Sequence, residues 1–211
     1  MNKALRVTAA GLGISAGIAG LEHGYFEFLQ GSTKPDGLFI ASIGSPCDPE
    51  MIWNRCEPAL TIIPDFAITG VLAMILGLIM IVWSLFFVQR RYGGLVLMLL
   101  SIGLMLFGGG LFPPLIGMVA GVAGTRINKP LTWSREHFSG GFSRGLTKLY
   151  PWALIAYLVV VLGQWVVGYF FNAWLMANMW TNVVLILIFL FLSLLSAFAY
   201  DVQASEPTPA F

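Results

Sequence analysis

The chain has 211 residues, of which 58% are hydrophobic and only 10% are charged. Soluble domains carry about 25% charged residues, so this composition excludes a protein whose whole surface faces water. The formal net charge of +1 argues against nucleic-acid binding, which needs a concentrated basic face, and the length leaves no room for a separate soluble domain.

Four long apolar runs predict helices that cross a membrane. They cover residues 4–21, 66–88, 152–171 and 182–199, and each approaches the roughly 20 residues that a crossing needs. Continuous apolar runs of this length favour helices over the alternating strands of a barrel. The first run continues with helical character to residue 29. A cleaved signal peptide ending near Ala19 is the alternative for this region.

A fifth apolar run, 92–125, is too long for one ordinary span. Three glycines and two prolines interrupt it: Gly108, Gly109, Gly110, Pro113 and Pro114. Glycines end helices readily, and a proline in the first turn restarts one. We therefore expect two short helices, 93–108 and 113–125, as a transmembrane hairpin or a re-entrant pair. One long kinked helix is the alternative.

The basic residues decide between these alternatives. Nine of the eleven basic residues stand in segments that can all lie on the same side of the membrane: Lys3, Arg6, Arg90, Arg91, Arg126, Lys129, Arg135, Arg144 and Lys148. The positive-inside rule puts all nine in the cytoplasm, which requires the run 92–125 to cross out and return. We therefore predict an all-α membrane bundle over 1–200, with six membrane segments and both termini cytoplasmic.

Three connecting regions follow from this topology. Residues 32–63 form an extracytoplasmic loop. Residues 126–150 lie on the cytoplasmic side, where basic and apolar residues of 132–150 alternate at helical spacing and predict an interfacial segment that attracts anionic inner-leaflet lipid. The polar, proline-containing tail 201–211 is predicted to be disordered.

The only two cysteines, Cys47 and Cys56, both fall in the predicted outer loop. An oxidising compartment favours a disulfide between them, which would close a short loop. A redox role is the alternative, although the spacing is not that of a CxxC motif.

His23 and Glu27 form the most suggestive polar cluster. They are i,i+4 neighbours on one helix face. That face adjoins a stripe of small residues that lets another helix approach closely: Gly13, Gly17, Gly20, Gly24 and Gly31. Ionisable groups at membrane depth usually face the interior of a bundle. The pair is thus a candidate to bind a divalent metal, relay a proton or line a vestibule, and ordinary interfacial polarity is the alternative.

Further residues on the outer side are candidates for the same vestibule. Glu57 and Asp65 precede the second span, although Asp65 is also explained as a first-turn carboxylate that complements the helix dipole. The break at Gly108, Gly109 and Gly110 would expose backbone groups of the kind that bind substrates in transporters. A simple tight turn is the alternative for the break.

The segments EHGYFEFLQG, EPALTIIPDF and GGGLFPPLIGMVAG resemble a group of bacterial multi-pass membrane proteins of unassigned activity. The resemblance implies a bacterial cytoplasmic membrane and carries over no activity. No nucleotide-binding, HExxH or GxSxG motif is present.

Three classes of function therefore stay open. The first is a small permease or channel-like protein for an ion or small solute. The second is a non-catalytic accessory subunit with a membrane-protein partner or a second copy of itself. The third is a membrane enzyme in which His23, Glu27, Glu57 and Asp65 converge on a metal or lipid. The sequence names no cofactor and no substrate.

Overall fold

The described residues form eight helices and one two-stranded ribbon. The computed structural model describes residues 1–41, 57–132 and 140–205, apart from the side chains of 140–142. The helices are α1 (Lys3–Leu29), α2 (Phe66–Phe86), α3 (Gly93–Leu106), α4 (Phe112–Arg126), α5 (Gly140–Leu149), α6 (Trp152–Phe170), α7 (Asn172–Ala177) and α8 (Met179–Ala204). The ribbon pairs β1 (Phe39–Ala41) antiparallel with β2 (Pro58–Leu60).

Four of these helices, α1, α2, α6 and α8, are long and apolar enough to cross a membrane. They correspond to the four apolar runs, so the predicted all-helical class and the predicted long helices are confirmed. α1 is one unbroken helix that includes residues 22–29. α8 is longer at both ends than the run that predicts it.

α1 lies at the centre of the bundle, where it packs against α2, α4, α6 and α8. Its closest neighbour is α2, which runs antiparallel to it. A Cβ added at Gly24 would lie 2.6 Å from the carbonyl oxygen of Gly70, and one added at Gly17 would lie 2.7 Å from that of Gly77. Two glycine pairs thus bring the backbones of α1 and α2 into contact.

The predicted small-residue stripe on α1 is therefore confirmed in its central part. Gly20 lies under Leu104 of α3, where a Cβ would come within 2.6 Å of the leucine side chain. Gly13 lies against Ser84 of α2. Gly31 does not belong to the stripe, because it follows the end of α1 and a Cβ there would meet no atom within 4 Å.

α3 and α4 are two short helices that pack antiparallel on each other. Gly94 near the start of α3 faces Gly121 in α4, and Ser101 faces Gly117. Their bounds lie within two residues of the predicted ones, with the helix break at residues 107–111. Pro113 stands in the first turn of α4, where a proline sacrifices no helical hydrogen bond.

Hydrogen bonds gather several chain segments at the end of the bundle where α1 starts. The backbone N–H of Asn2 donates to Ile127 O over 2.7 Å, and Asn128 Nδ2 donates to Gln89 O over 2.7 Å. Tyr150 Oη donates to Ala4 O over 3.3 Å. The start of α1, the end of α2, the end of α4 and the start of α6 therefore share one end.

Asp201 lies at the same end of the bundle, and its position corrects the prediction that the tail is disordered from residue 201. Its carboxylate oxygens accept hydrogen bonds from the N–H groups of Ala4, over 3.0 Å, and Leu5, over 2.8 Å. These groups in the first turn of α1 would otherwise lack partners. Residues 201–204, predicted to be disordered, are therefore the last turn of α8. Residues 206–211 lie outside the described residues.

The predicted outer loop contains structure that does not follow from the sequence analysis. Besides the ribbon, the N–H of Gly108 donates to Leu60 O over 2.8 Å, and that of Ile62 donates to Leu106 O over 3.0 Å. The chain around β2 is thereby fixed to the break between α3 and α4. Cys47 and Cys56 lie outside the described residues, so their disulfide stays a prediction.

The predicted interfacial segment 132–150 is described in part. Its second half is the helix α5, which contacts α8. Arg135 lies in the remaining part, outside the described residues. The binding of anionic lipid by this segment stays a prediction.

Candidate functional site

His23 and Glu27 lie on the inward face of α1, one turn apart, near the end that carries the ribbon. Only 2% of His23 and none of Glu27 is exposed. The predicted orientation of the pair is thus confirmed: both side chains are buried within the protein.

Glu57 connects this pair to the surface. His23 Nε2 lies 2.7 Å from Glu57 Oε2, and 34% of the Glu57 side chain is exposed. Glu57 directly precedes β2, which is held by β1 and by the glycine break. The ribbon therefore positions a partly exposed carboxylate on a buried imidazole.

The Glu27 carboxyl group is the unusual member of the cluster. Within the described ranges, neither of its oxygens has a hydrogen-bond partner. Both oxygens lie against the backbone of Gly108, where a Cβ would come within 2.2 Å of Oε2 and 2.3 Å of Oε1. A buried ionised carboxylate without a partner is costly, so such a group is suited to taking up a proton or a cation.

The glycine break covers both side chains. Gly108 and Gly110 have φ angles of +81° and +82°, in the left-handed region that favours glycine. A Cβ on Gly110 would lie 2.7 Å from His23 Nε2, and one on Gly109 would lie 2.3 Å from the Leu104 side chain. Three consecutive glycines are needed because every added Cβ would collide. The break lies beside His23 and Glu27, as predicted, and its role in binding stays a prediction.

Asp65 has a structural role that differs from those of His23, Glu27 and Glu57. It is the N-cap of α2, where its side chain accepts a hydrogen bond from Ile68 N over 3.0 Å. Its other carboxylate oxygen accepts one from the Ser32 hydroxyl. The bonds from Ser32 and Ile68 hold the pKa of Asp65 below its ordinary value of 3.8. The geometry agrees with the first-turn interpretation of this residue.

A metal site needs a set of ligands. Among residues 1–41, 57–132 and 140–205, no group of three or more His, Cys, Asp or Glu side chains is arranged to hold a metal ion. The metal site predicted at His23 and Glu27 would need ligands from elsewhere, and it stays a prediction.

Glu22 is a useful contrast to Glu27, because it stands on the same helix but on another face. Its Oε2 accepts a hydrogen bond from Trp165 Nε1 of α6 over 2.7 Å. One of the two neighbouring glutamates therefore has a defined structural partner, whereas Glu27 has none in the described part of the chain.

Two grooves on the described part of the protein both lie away from the cluster. One, of about 240 Å³, is lined by residues 34–38 and 61–64 beside the ribbon. The other, of about 520 Å³, lies at the start of α1. Neither is lined by His23 or Glu27. The cluster is covered in this conformation, because only 2% of His23 and none of Glu27 is exposed.

One polar pair near the ribbon was not predicted from the sequence. Thr61 Oγ1 and Thr69 Oγ1 lie 2.6 Å apart and are both buried. The pair fixes the segment after β2 to α2. Threonines eight residues apart across a loop carry no sequence signal that would have revealed this contact.

Comparison with protein-family models, with curated proteins and with solved structures finds no match for this chain. Any function proposed for the protein therefore depends on its own residues and its own fold.

Proposed function

We propose that the chain is a multi-pass protein of the bacterial cytoplasmic membrane, with six membrane segments and both termini in the cytoplasm. In this arrangement α3 and α4 form a short transmembrane hairpin between α2 and α5. The hydrogen bonds that join Asn2, Asn128 and Tyr150 to neighbouring segments support it. These bonds bring the basic residues next to the bonded segments to one end of the bundle, as the positive-inside rule requires of a cytoplasmic face.

We further propose that the protein is a small permease or channel-like protein that moves protons across this membrane. The observation that carries this proposal is the wholly buried carboxyl of Glu27, which has no hydrogen-bond partner among the described residues. A structural carboxylate, such as that of Asp201, has its oxygens satisfied. A buried carboxyl left without partners is suited to exchanging a proton.

The order of the groups supports a path from the outer surface. Glu57 is partly exposed, and it contacts the buried His23. Glu27 follows one helical turn away in α1. An imidazole accepts a proton on one nitrogen and donates one from the other, so His23 is suited to take up a proton from Glu57. Because His23 and Glu27 are not hydrogen-bonded to each other, the proton would reach Glu27 through water between the two side chains.

The glycine segment 108–110 is the gate in this proposal. Its backbone lies on both His23 and Glu27. It is bonded to β2 through the N–H of Gly108, so movement of the ribbon and movement of this segment are coupled. Displacement of the segment would admit water to Glu27, and its return would close the path.

The test is proton flux into liposomes that contain the purified protein, driven by a potassium diffusion potential and followed by a pH-sensitive dye inside. We expect flux above protein-free liposomes for the wild type and a loss of at least about tenfold for Glu27→Gln, since an amide cannot exchange a proton in this way.

Glu22→Gln is the matched control. It makes the same change on the same helix, and its amide oxygen can still accept the hydrogen bond of Trp165. We expect this variant to keep the wild-type flux. Wild-type flux through Glu27→Gln, or no flux through the wild-type protein, would contradict the proposal.

A non-catalytic accessory subunit is the second candidate, and the closed state of the cluster favours it. His23 and Glu27 are almost wholly buried, as expected of a tightly packed scaffold. In that case the Glu27→Gln substitution would have no measurable effect on the purified protein. The protein would instead migrate as part of a larger complex when its native membrane is solubilised in mild detergent.

A further inference from the structure

A groove runs along the first three turns of α1, at the end opposite the His23–Glu27 cluster. It is formed by α1, the end of α2 and the start of α6. Its lining is basic at one end and apolar along the rest: Met1, Lys3, Arg6, Val7, Ala10, Gly11, Ile14, Leu85, Leu154 and Leu158.

The dimensions of the groove match one leaflet of a bilayer. Between residues 3 and 14 the helix rises roughly 16 Å at 1.5 Å per residue, which is about half of a ~30 Å hydrocarbon core. Its volume of about 520 Å³ is within the usual range of ligand sites. The basic residues stand at the helix start, and the apolar lining continues toward the middle of the membrane.

Small residues on α1 leave this space between the helices. Ala10 and Gly11 stand where the groove passes between α1 and α6. A Cβ on Gly11 would already touch Leu154 Cδ1 at 3.4 Å. A larger side chain at this position would therefore extend into the groove and fill it.

The charges at the basic end are available to a ligand. Within the described part of the chain, neither Lys3 nor Arg6 forms an ion pair. The Asp201 carboxylate, which also lies at the start of α1, has both oxygens bonded to the N–H groups of Ala4 and Leu5 and to neither basic side chain. The groove thus combines two cations that form no ion pair in the described part of the chain with a long apolar wall.

We propose that this groove binds an anionic phospholipid of the cytoplasmic leaflet. Lys3 and Arg6 hold the phosphate of the head group, and one acyl chain lies along Ala10, Gly11 and Leu158. The inference depends on the membrane placement proposed above but not on proton movement. Its test can therefore fail while the flux test succeeds, and the reverse. It also differs from the lipid attraction predicted for 132–150, which involves no such groove.

The experiment is native mass spectrometry of delipidated protein titrated with phosphatidylglycerol, and separately with phosphatidylcholine. We expect preferential retention of phosphatidylglycerol by the wild type. The double variant Lys3→Gln/Arg6→Gln should bind it roughly 10- to 30-fold more weakly, because two cations near the lipid phosphate are lost.

The control is Arg90→Gln/Arg91→Gln, which removes two charges at the same end but outside the groove. It should bind as the wild type does. Gly11→Leu keeps the charges and fills the groove, and it should also weaken binding. Thermal unfolding in detergent verifies that each variant is folded. Unchanged binding by Lys3→Gln/Arg6→Gln, equal losses in both charge variants, or equal affinity for the two lipids would overturn the proposal.

Discussion

The close crossing of α1 and α2 makes a quantitative prediction about Gly70. A Cβ at this position would lie 2.5 Å from both Gly24 O and Phe28 N. These are backbone atoms of α1, which cannot rotate away as a side chain would. Restoring ordinary contact at about 3.5 Å requires the helices to separate by roughly 1 Å, and that separation weakens every contact along the crossing.

The expected cost of Gly70→Ala follows from two opposing terms. Overpacking in a well-packed interior costs about 1–3 kcal/mol. Alanine regains up to about 1 kcal/mol of helix propensity over glycine. We therefore expect a net loss of up to about 2 kcal/mol in the free energy of unfolding, and a loss of about 1–3 kcal/mol relative to a glycine-to-alanine change without overpacking.

Two glycines in other helices provide graded controls. A Cβ at Gly163 in α6 would meet nothing within 4 Å, and one at Gly103 in α3 would meet Leu76 at an ordinary 3.5 Å. Gly163→Ala should stabilise the protein by up to about 1 kcal/mol, and Gly103→Ala should lie between the two. The assay is unfolding by SDS in mixed micelles, followed by tryptophan fluorescence. A Gly70→Ala variant as stable as Gly163→Ala would refute the helix crossing.

Three further predictions test other parts of the structure. Asp201→Ala should lower the free energy of unfolding by about 0.5–2 kcal/mol, because α1 loses its cap; an unchanged melting temperature would contradict this. Asp65 has a pKa below its ordinary value of 3.8 in the folded protein, so its stabilisation is present above pH 3.8 and is lost as the pH falls through the lower folded-state value. The difference in melting temperature between wild type and Asp65→Asn should accordingly shrink at low pH, because asparagine keeps the acceptor of the cap and removes only the charge. A constant difference would contradict the lowered pKa of Asp65. In a cysteine-free background, a membrane-impermeant maleimide added to intact cells should label Lys34→Cys but not Lys129→Cys, and strong labelling at Lys129→Cys would contradict the proposed topology.

The long helices could be predicted because a membrane span has a simple signature. Length and hydropathy identify α2 and α6 to within two residues at each end. The helix break could be predicted because three glycines and two prolines share one short segment. Such features depend on local composition, which the sequence displays directly.

The ends of the bundle could not be predicted because they depend on contacts between distant residues. Asp201 caps a helix that starts nearly 200 residues earlier in the chain. Its neighbours in the sequence therefore indicate only that it is the first polar residue of a tail. The pairing of β1 with β2 was not predicted for the same reason. Strands of three residues are too short to show alternation.

The candidate site was predictable in part. The i,i+4 spacing placed His23 and Glu27 on one face, and the glycine stripe indicated that this face is buried. The approach of Gly108 to the Glu27 carboxyl depends on how the break folds back over α1, which no spacing reveals. Asp65 had two interpretations from sequence, and its bond to Ile68 N identifies it as a helix cap.

The central claim is that the Glu27 carboxyl exchanges a proton while it lies in the membrane. Infrared spectroscopy of the protein in lipid tests this directly, because the C=O stretch of a protonated carboxyl group is distinct from the carboxylate bands. We predict that one pH-dependent carboxyl signal of the wild type persists in Glu22→Gln and disappears in Glu27→Gln. The same pH-dependent signals in wild type and Glu27→Gln would contradict the claim.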